Sequence, residues 1–164
     1  MNGISINGMT QHHEGAAEID SATGRSVLPQ LIPKRSVNIL CIDDDEQFLE
    51  TMKDCLAHFE HRVTVASGGK RGLELFRTAM MKSQPYEVVI TDMGMPDMDG
   101  QRVARTIKAE SPNTPIIMMT GRDVITKQGG ETAPVVDVVV DKPPHIQELN
   151  ELILRIATPA EPRR

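Results

Sequence analysis

The sequence predicts an α/β fold built on a parallel sheet. Three observations carry that expectation: five short apolar runs lie between residues 37 and 140, helix-period apolar stripes follow four of them, and Gly, Pro, Asp and Ser punctuate the joins. Short buried strands alternating with amphipathic helices pack as parallel strands with right-handed crossovers.

The first run, residues 37–42, ends in Asp43, Asp44 and Asp45 and reads as a buried strand. Phe48, Leu49, Met52, Leu56 and Phe59 then recur at helical spacing. Asp44 or Asp45 is placed to cap that helix, with Glu46 in its first turn, where negative charge is favoured. Residues 62–66 predict a second strand. Ser67 is placed to cap the next helix, whose apolar face carries Leu73, Phe76, Ala79 and Met80.

Residues 86–91 predict a third strand, and a loop with Gly94, Pro96 and Gly100 follows. Val103, Ala104 and Ile107 line a helix that must stop before Ser111-Pro112. Residues 115–119 and 136–140 predict strands four and five. Between them the helix signal is poor: Gly129-Gly130 costs about 2 kcal/mol relative to alanine in a helix interior, so a short or frayed helix is expected. Ile146, Leu149, Leu152, Ile153 and Ile156 form the last stripe.

Residues 1–36 show neither strand nor helix period and are expected to be a disordered tail or linker, as is the short tail 158–164. The structured domain is expected over 37–157. His12 and His13 are adjacent with no cysteine nearby and read as solvated. Cys41 and Cys55 fall inside apolar patterns, which predicts buried reduced thiols rather than a disulfide. With no Trp, one Tyr and three Phe, the core must be aliphatic. A net charge of −5 argues against a nucleic-acid surface. No apolar run approaches the roughly 18 residues of a membrane span, and the N-terminus lacks the order of a secretion signal. A cytoplasmic protein is expected.

Ligands of open parallel sheets gather beyond the carboxyl ends of the strands. Asp43 and Asp44 close strand one and Asp92 closes strand three, so neighbouring strands one and three would bring three carboxylates together. Two charges about 4 Å apart repel by about 4 kcal/mol at an effective dielectric of about 20. Something positive must offset that, and oxygen ligands suit a hard cation such as Mg²⁺. Thr120 ends strand four and Lys142 follows strand five, which would place a hydroxyl and an ammonium on the same rim.

Four segments carry a resemblance: Ile39-Leu40-Cys41-Ile42-Asp43-Asp44, residues 88–100 with Asp92-Met93-Gly94-Met95-Pro96-Asp97-Met98-Asp99-Gly100, residues 115–121 with Met119-Thr120-Gly121, and Asp141-Lys142-Pro143. In that order they resemble the receiver domains of two-component response regulators, over roughly residues 37–157. The resemblance implies a flavodoxin-like, doubly wound, five-stranded parallel sheet in order 2-1-3-4-5 with helices on both faces. It implies that Asp92 is the phosphoacceptor and that Asp43, Asp44, Asp92 and the Gly94 backbone carbonyl hold Mg²⁺ or Mn²⁺. It further implies that Thr120 and Lys142 bind phosphoryl oxygens, that the Lys142–Pro143 peptide is cis, and that Gly100 serves the turn after the active-site loop.

The phosphoryl donor would be a phosphohistidine on a histidine kinase or histidine phosphotransfer domain. The chain would act as a signalling switch rather than a turnover enzyme, through protein contacts with a downstream target. It would be either a stand-alone receiver or the receiver of a hybrid kinase, and no output domain is expected after residue 157. Thr120 and position 139 would form the switch, but Val139 stands where the family carries an aromatic. Gly94 and Arg122 occupy positions that govern water access, and slow self-hydrolysis is expected. Two alternatives remain at this stage: a phosphorylation-independent scaffold, and an Asp-nucleophile phosphohydrolase, which needs an acid where Gly94 stands.

Overall fold

The computed structural model describes residues 18–19, 26–27, 35–121 and 135–157. The chain divides into two compact units, Met1–Pro33 and Lys34–Arg164. In the first, Glu18–Ile19 pairs antiparallel with Ser26–Val27. His12, His13, Arg122, Gly129, Gly130 and the tail 158–164 lie outside the described residues.

In the second unit the elements run β1 (Asn38–Asp43), α1 (Glu46–His58), β2 (Arg62–Ser67), α2 (Gly69–Met81), β3 (Val88–Asp92), α3 (Gly100–Glu110), β4 (Ile116–Thr120), β5 (Val138–Asp141) and α4 (Ile146–Ile156). All five strands are parallel, in the order β2-β1-β3-β4-β5. This is the sheet the resemblance implies.

Successive strand residues point to opposite faces, and the sequence uses both. Ile39, Cys41, Val88, Ile90, Ile117 and Met119 pack with Leu49, Met52 and Leu56 of α1 and Leu149 and Ile153 of α4. Leu40, Ile42, Val89, Ile116 and Met118 pack on the other face with Leu73 and Phe76 of α2 and Val103, Ala104 and Ile107 of α3. Burial on both sides explains why β1, β3 and β4 read as continuous apolar runs rather than alternating ones. β5 differs: its residues are alternately half-buried and exposed, and Val139 is 45% exposed.

The helix starts are set locally. Asp45 caps α1, its Oδ1 accepting from the backbone N–H groups of Gln47 and Phe48, each at 3.0 Å. Asp99 caps α3 through the N–H of Arg102 at 2.7 Å. The cap expected of Ser67 is corrected. Ser67 ends β2, and α2 starts after Gly68, which makes no side-chain cap. Gly68 takes φ +97°, a conformation that only glycine adopts cheaply, and so turns the strand into the helix. At the opposite end of the sheet His61 joins two elements: its Nδ1 accepts from the N–H of Val37 at 3.2 Å, and its Nε2 lies 2.8 Å from Asn150 Oδ1 on α4.

Candidate functional site

β1 and β3 are direct neighbours in register Ile42↔Thr91, so their last residues, Asp43 and Asp92, emerge side by side at the carboxyl rim. Asp44 follows β1 immediately. One oxygen from each of Asp43, Asp44 and Asp92 lies within 4.8 Å of the others, a spacing that one metal ion could bridge. Asp43 and Asp92 are buried and Asp44 is exposed. Crowded carboxylates, two buried and one facing solvent, match the oxygen-only, partly hydrated demands of a hard divalent cation.

Lys142 reaches this cluster from beyond β5. Its backbone N–H donates to Thr120 O at 2.8 Å, continuing the β4–β5 register past Thr120↔Asp141. The Lys142–Pro143 peptide is cis. The ammonium Nζ sits 2.5 Å from Asp43 Oδ2 and 2.7 Å from Asp92 Oδ1, so one cation bridges both acids. It also lies 4.5 Å from the centroid of the Phe48 ring.

Burial holds the Asp43 carboxyl above its ordinary range. The hydrogen bonds from Lys142 and from the N–H of Asp45 pull it back only in part, and the Asp92 charge adds to the rise. For Lys142, burial acts to lower the value, but the hydrogen bonds to Asp43 and Asp92 prevail and the ammonium is held above its usual range. The lysine therefore stays charged throughout the physiological range. Cys41, in the wall behind the acids, is pushed up to about 12 by burial and then by the charge of Asp43, so it is an inert thiol. Cys41 and Cys55 are both free, the first buried and the second partly so.

The remaining residues frame Asp92. The N–H of Gly94 donates to Asp92 Oδ2 at 2.7 Å and orients the carboxylate. A Cβ on Gly100 would lie 2.1 Å from the Asp92 carbonyl oxygen, so only glycine allows α3 to begin this close to the acid. Thr120 is 1% exposed, and its Oγ1 is the buried side-chain polar atom without a hydrogen-bond partner among the described residues. Buried hydroxyls are rarely left so, and an orphaned donor on this rim suits an anionic group arriving over Asp92. Val139 pairs in register with Met118 one strand over, away from the acids.

The helical spacing in the sequence places Phe48 only on the apolar face of α1. The aromatic in the first turn of α1, four residues beyond Asp44, was the available signal that it might also face the rim. The sequence marks Gly100 as a turn residue, and its close approach to Asp92 depends on how α3 docks.

A family model described as the response regulator receiver domain matches residues 39–154. The chain is 31% identical over 117 residues to the two-component response regulator ARR12 of Arabidopsis thaliana, covering 71% of this chain and 19% of that protein. It is 29% identical over 126 residues to the response regulator MprA of Mycolicibacterium vanbaalenii, covering 75% and 52%. The chain thus spans from about a fifth to about half the length of these relatives. Among solved structures it is similar to a response regulator receiver domain protein of Clostridium thermocellum, at TM-score 0.60, 29% identity and coverage of 74% and 94%. It is also similar to the response regulator TrrA of Thermotoga maritima, in complex with Mg²⁺-BeF, at TM-score 0.63, 25% identity and coverage of 73% and 98%.

Proposed function

The chain belongs to the response regulator receiver domain family, and from that premise we propose that Asp92 is its phosphoacceptor in a Mg²⁺-dependent transfer from a phosphohistidine. The observation that carries this reading is the meeting of three carboxylates within 4.8 Å, a lysine ammonium 2.7 Å from Asp92 and the unpartnered hydroxyl of Thr120.

Asp43, Asp44 and Asp92, with the Gly94 carbonyl, would hold the metal. A bound Mg²⁺, or Mn²⁺ with similar oxygen preference, neutralises charge between the carboxylate and the incoming phosphoryl group. An Asp92 carboxylate oxygen attacks phosphorus, a P–O bond forms, and the P–N bond to the donor imidazole breaks with its electron pair leaving on nitrogen. Catalysis in such transfers lies in positioning and charge compensation. The Gly94 N–H fixes the carboxylate, Lys142 turns from it to a phosphoryl oxygen, and the Thr120 hydroxyl donates to another. The incoming charge and acceptor oxygens draw Thr120 toward Asp92 and pass a packing change to β5 and Val139.

The donor is a histidine kinase or histidine phosphotransfer domain, and the output is a protein contact inside the cytoplasm. The receiver domain occupies residues 37–157. Self-hydrolysis of the acyl phosphate is slow, because Gly94 has no side chain to position water. No helix among the described residues is long and apolar enough to cross a membrane.

Incubation with acetyl phosphate and Mg²⁺ is expected to give one phosphoryl group per chain, abolished by Asp92→Ala or by EDTA. Continuous release of phosphate would favour a hydrolase, and failure to label would favour a scaffold. The scaffold reading draws on one observation, the exposed valine at position 139.

A further inference from the structure

The ammonium of Lys142 has three N–H donors and is held from three sides, by Asp43 Oδ2, Asp92 Oδ1 and the face of Phe48 with its centroid at 4.5 Å. Phe48 is itself well held. Its N–H is bonded to the Asp45 cap, and its side chain is half-buried against the core cluster beneath β1 and β3. We propose that Phe48 is a positioning residue for phosphoryl transfer, its ring fixing the Lys142 ammonium over Asp92.

Lys142 reaches the acids across β4 from beyond the edge strand, and a four-carbon stem loses much rotamer freedom when its tip is fixed. Both carboxylate partners are claimed elsewhere during the reaction, since metal binding takes up Asp43 and the new phosphoryl bond takes up Asp92. The ring alone is unchanged throughout. A π face attracts a cation without carrying formal charge. It can therefore hold the ammonium without neutralising it, and does not compete when Nζ turns toward a phosphoryl oxygen. A third carboxylate at that position would do both.

This inference rests on the phosphoacceptor reading above, and the test separates the two. Full chains carrying Phe48→Leu, Phe48→Tyr, Lys142→Met and the Phe48→Leu/Lys142→Met pair are labelled with acetyl phosphate at saturating Mg²⁺. Phe48→Leu is expected to slow labelling by about two- to fivefold, the range a partly exposed cation–π contact sustains. Phe48→Tyr keeps the rate, and Phe48→Leu adds nothing in the Lys142→Met background. Proton NMR reads the contact without chemistry: the Lys142 methylene protons beside Nζ are shifted upfield by the ring, and Phe48→Leu removes the shift. Unchanged labelling in Phe48→Leu, or equal slowing in both backgrounds, overturns the proposal, as does a missing upfield shift in the unaltered chain. Where that chain shows the shift yet takes no phosphoryl group, the phosphoacceptor reading fails while the aromatic hold on Lys142 stands.

Discussion

The centre and the edge of the sheet solve different problems. β1 and β3 are buried on both faces and carry Asp43 and Asp92 to one point, where each acid has a partner fixed by backbone or by Lys142. β5, at the edge, has half its residues exposed, with Val139 at 45%. The contrast teaches that the acid cluster sits at the ends of strands buried on both faces. Lys142, which bridges two of those acids, follows the half-exposed edge strand, and partly exposed elements open at lower free-energy cost.

The comparison can be tested at its centre first. Lys142→Met should slow acetyl phosphate labelling by about 100-fold, in the range found when one preorganised donor to a developing anion is removed. Labelling near the normal rate would mean that the edge contributes no chemistry. Gly100→Ala forces a Cβ to within 2.1 Å of the Asp92 carbonyl oxygen. Such overpacking is expected to cost about 1–3 kcal/mol in urea unfolding and to displace Asp92. A third pair sets the two regions side by side. Ile117→Ala, at a fully buried position in β4, should lose about 2–5 kcal/mol, whereas Val139→Ala should lose well under about 1 kcal/mol. Equal losses would erase the distinction between centre and edge.

Thiol chemistry gives a milder probe. With its thiol pushed up to about 12, Cys41 should resist iodoacetamide at pH 8 while the partly buried Cys55 reacts, and mass spectrometry should find one adduct per folded chain. The smallest effect concerns alkaline stability of the metal-free chain. The pKa of Lys142 is raised on folding. The stability it contributes is complete below the ordinary lysine value of about 10.4 and is lost as pH rises through the folded value. A thermal-melt series should therefore fall above about pH 10, and Lys142→Met should remove that share of the fall.

Much of this was legible in the residues. Strand and helix periods placed β1, β3, β4 and α1 to within one or two positions, because burial on one or both faces leaves a pattern that no tertiary detail can disguise. The cap at Asp45 was equally visible, since its oxygen reaches N–H groups only two and three residues away. Ser67 was misread for the complementary reason. A serine before a helical stripe looks like a cap, yet the following glycine can make the turn by φ alone.

By itself, then, the order of residues determined the five strands, the flanking helices, and the acids, hydroxyl and ammonium that end them. These properties depend on neighbours within a few positions or on the period of burial. Only the folded molecule decided that Lys142 spans Asp43 and Asp92, that Phe48 faces its ammonium, that Gly100 touches the backbone of Asp92, and that Val139 is left half in solvent. Those contacts join residues from different elements, between 8 and 99 positions apart where they touch the acids, and their distances are set by how the elements pack.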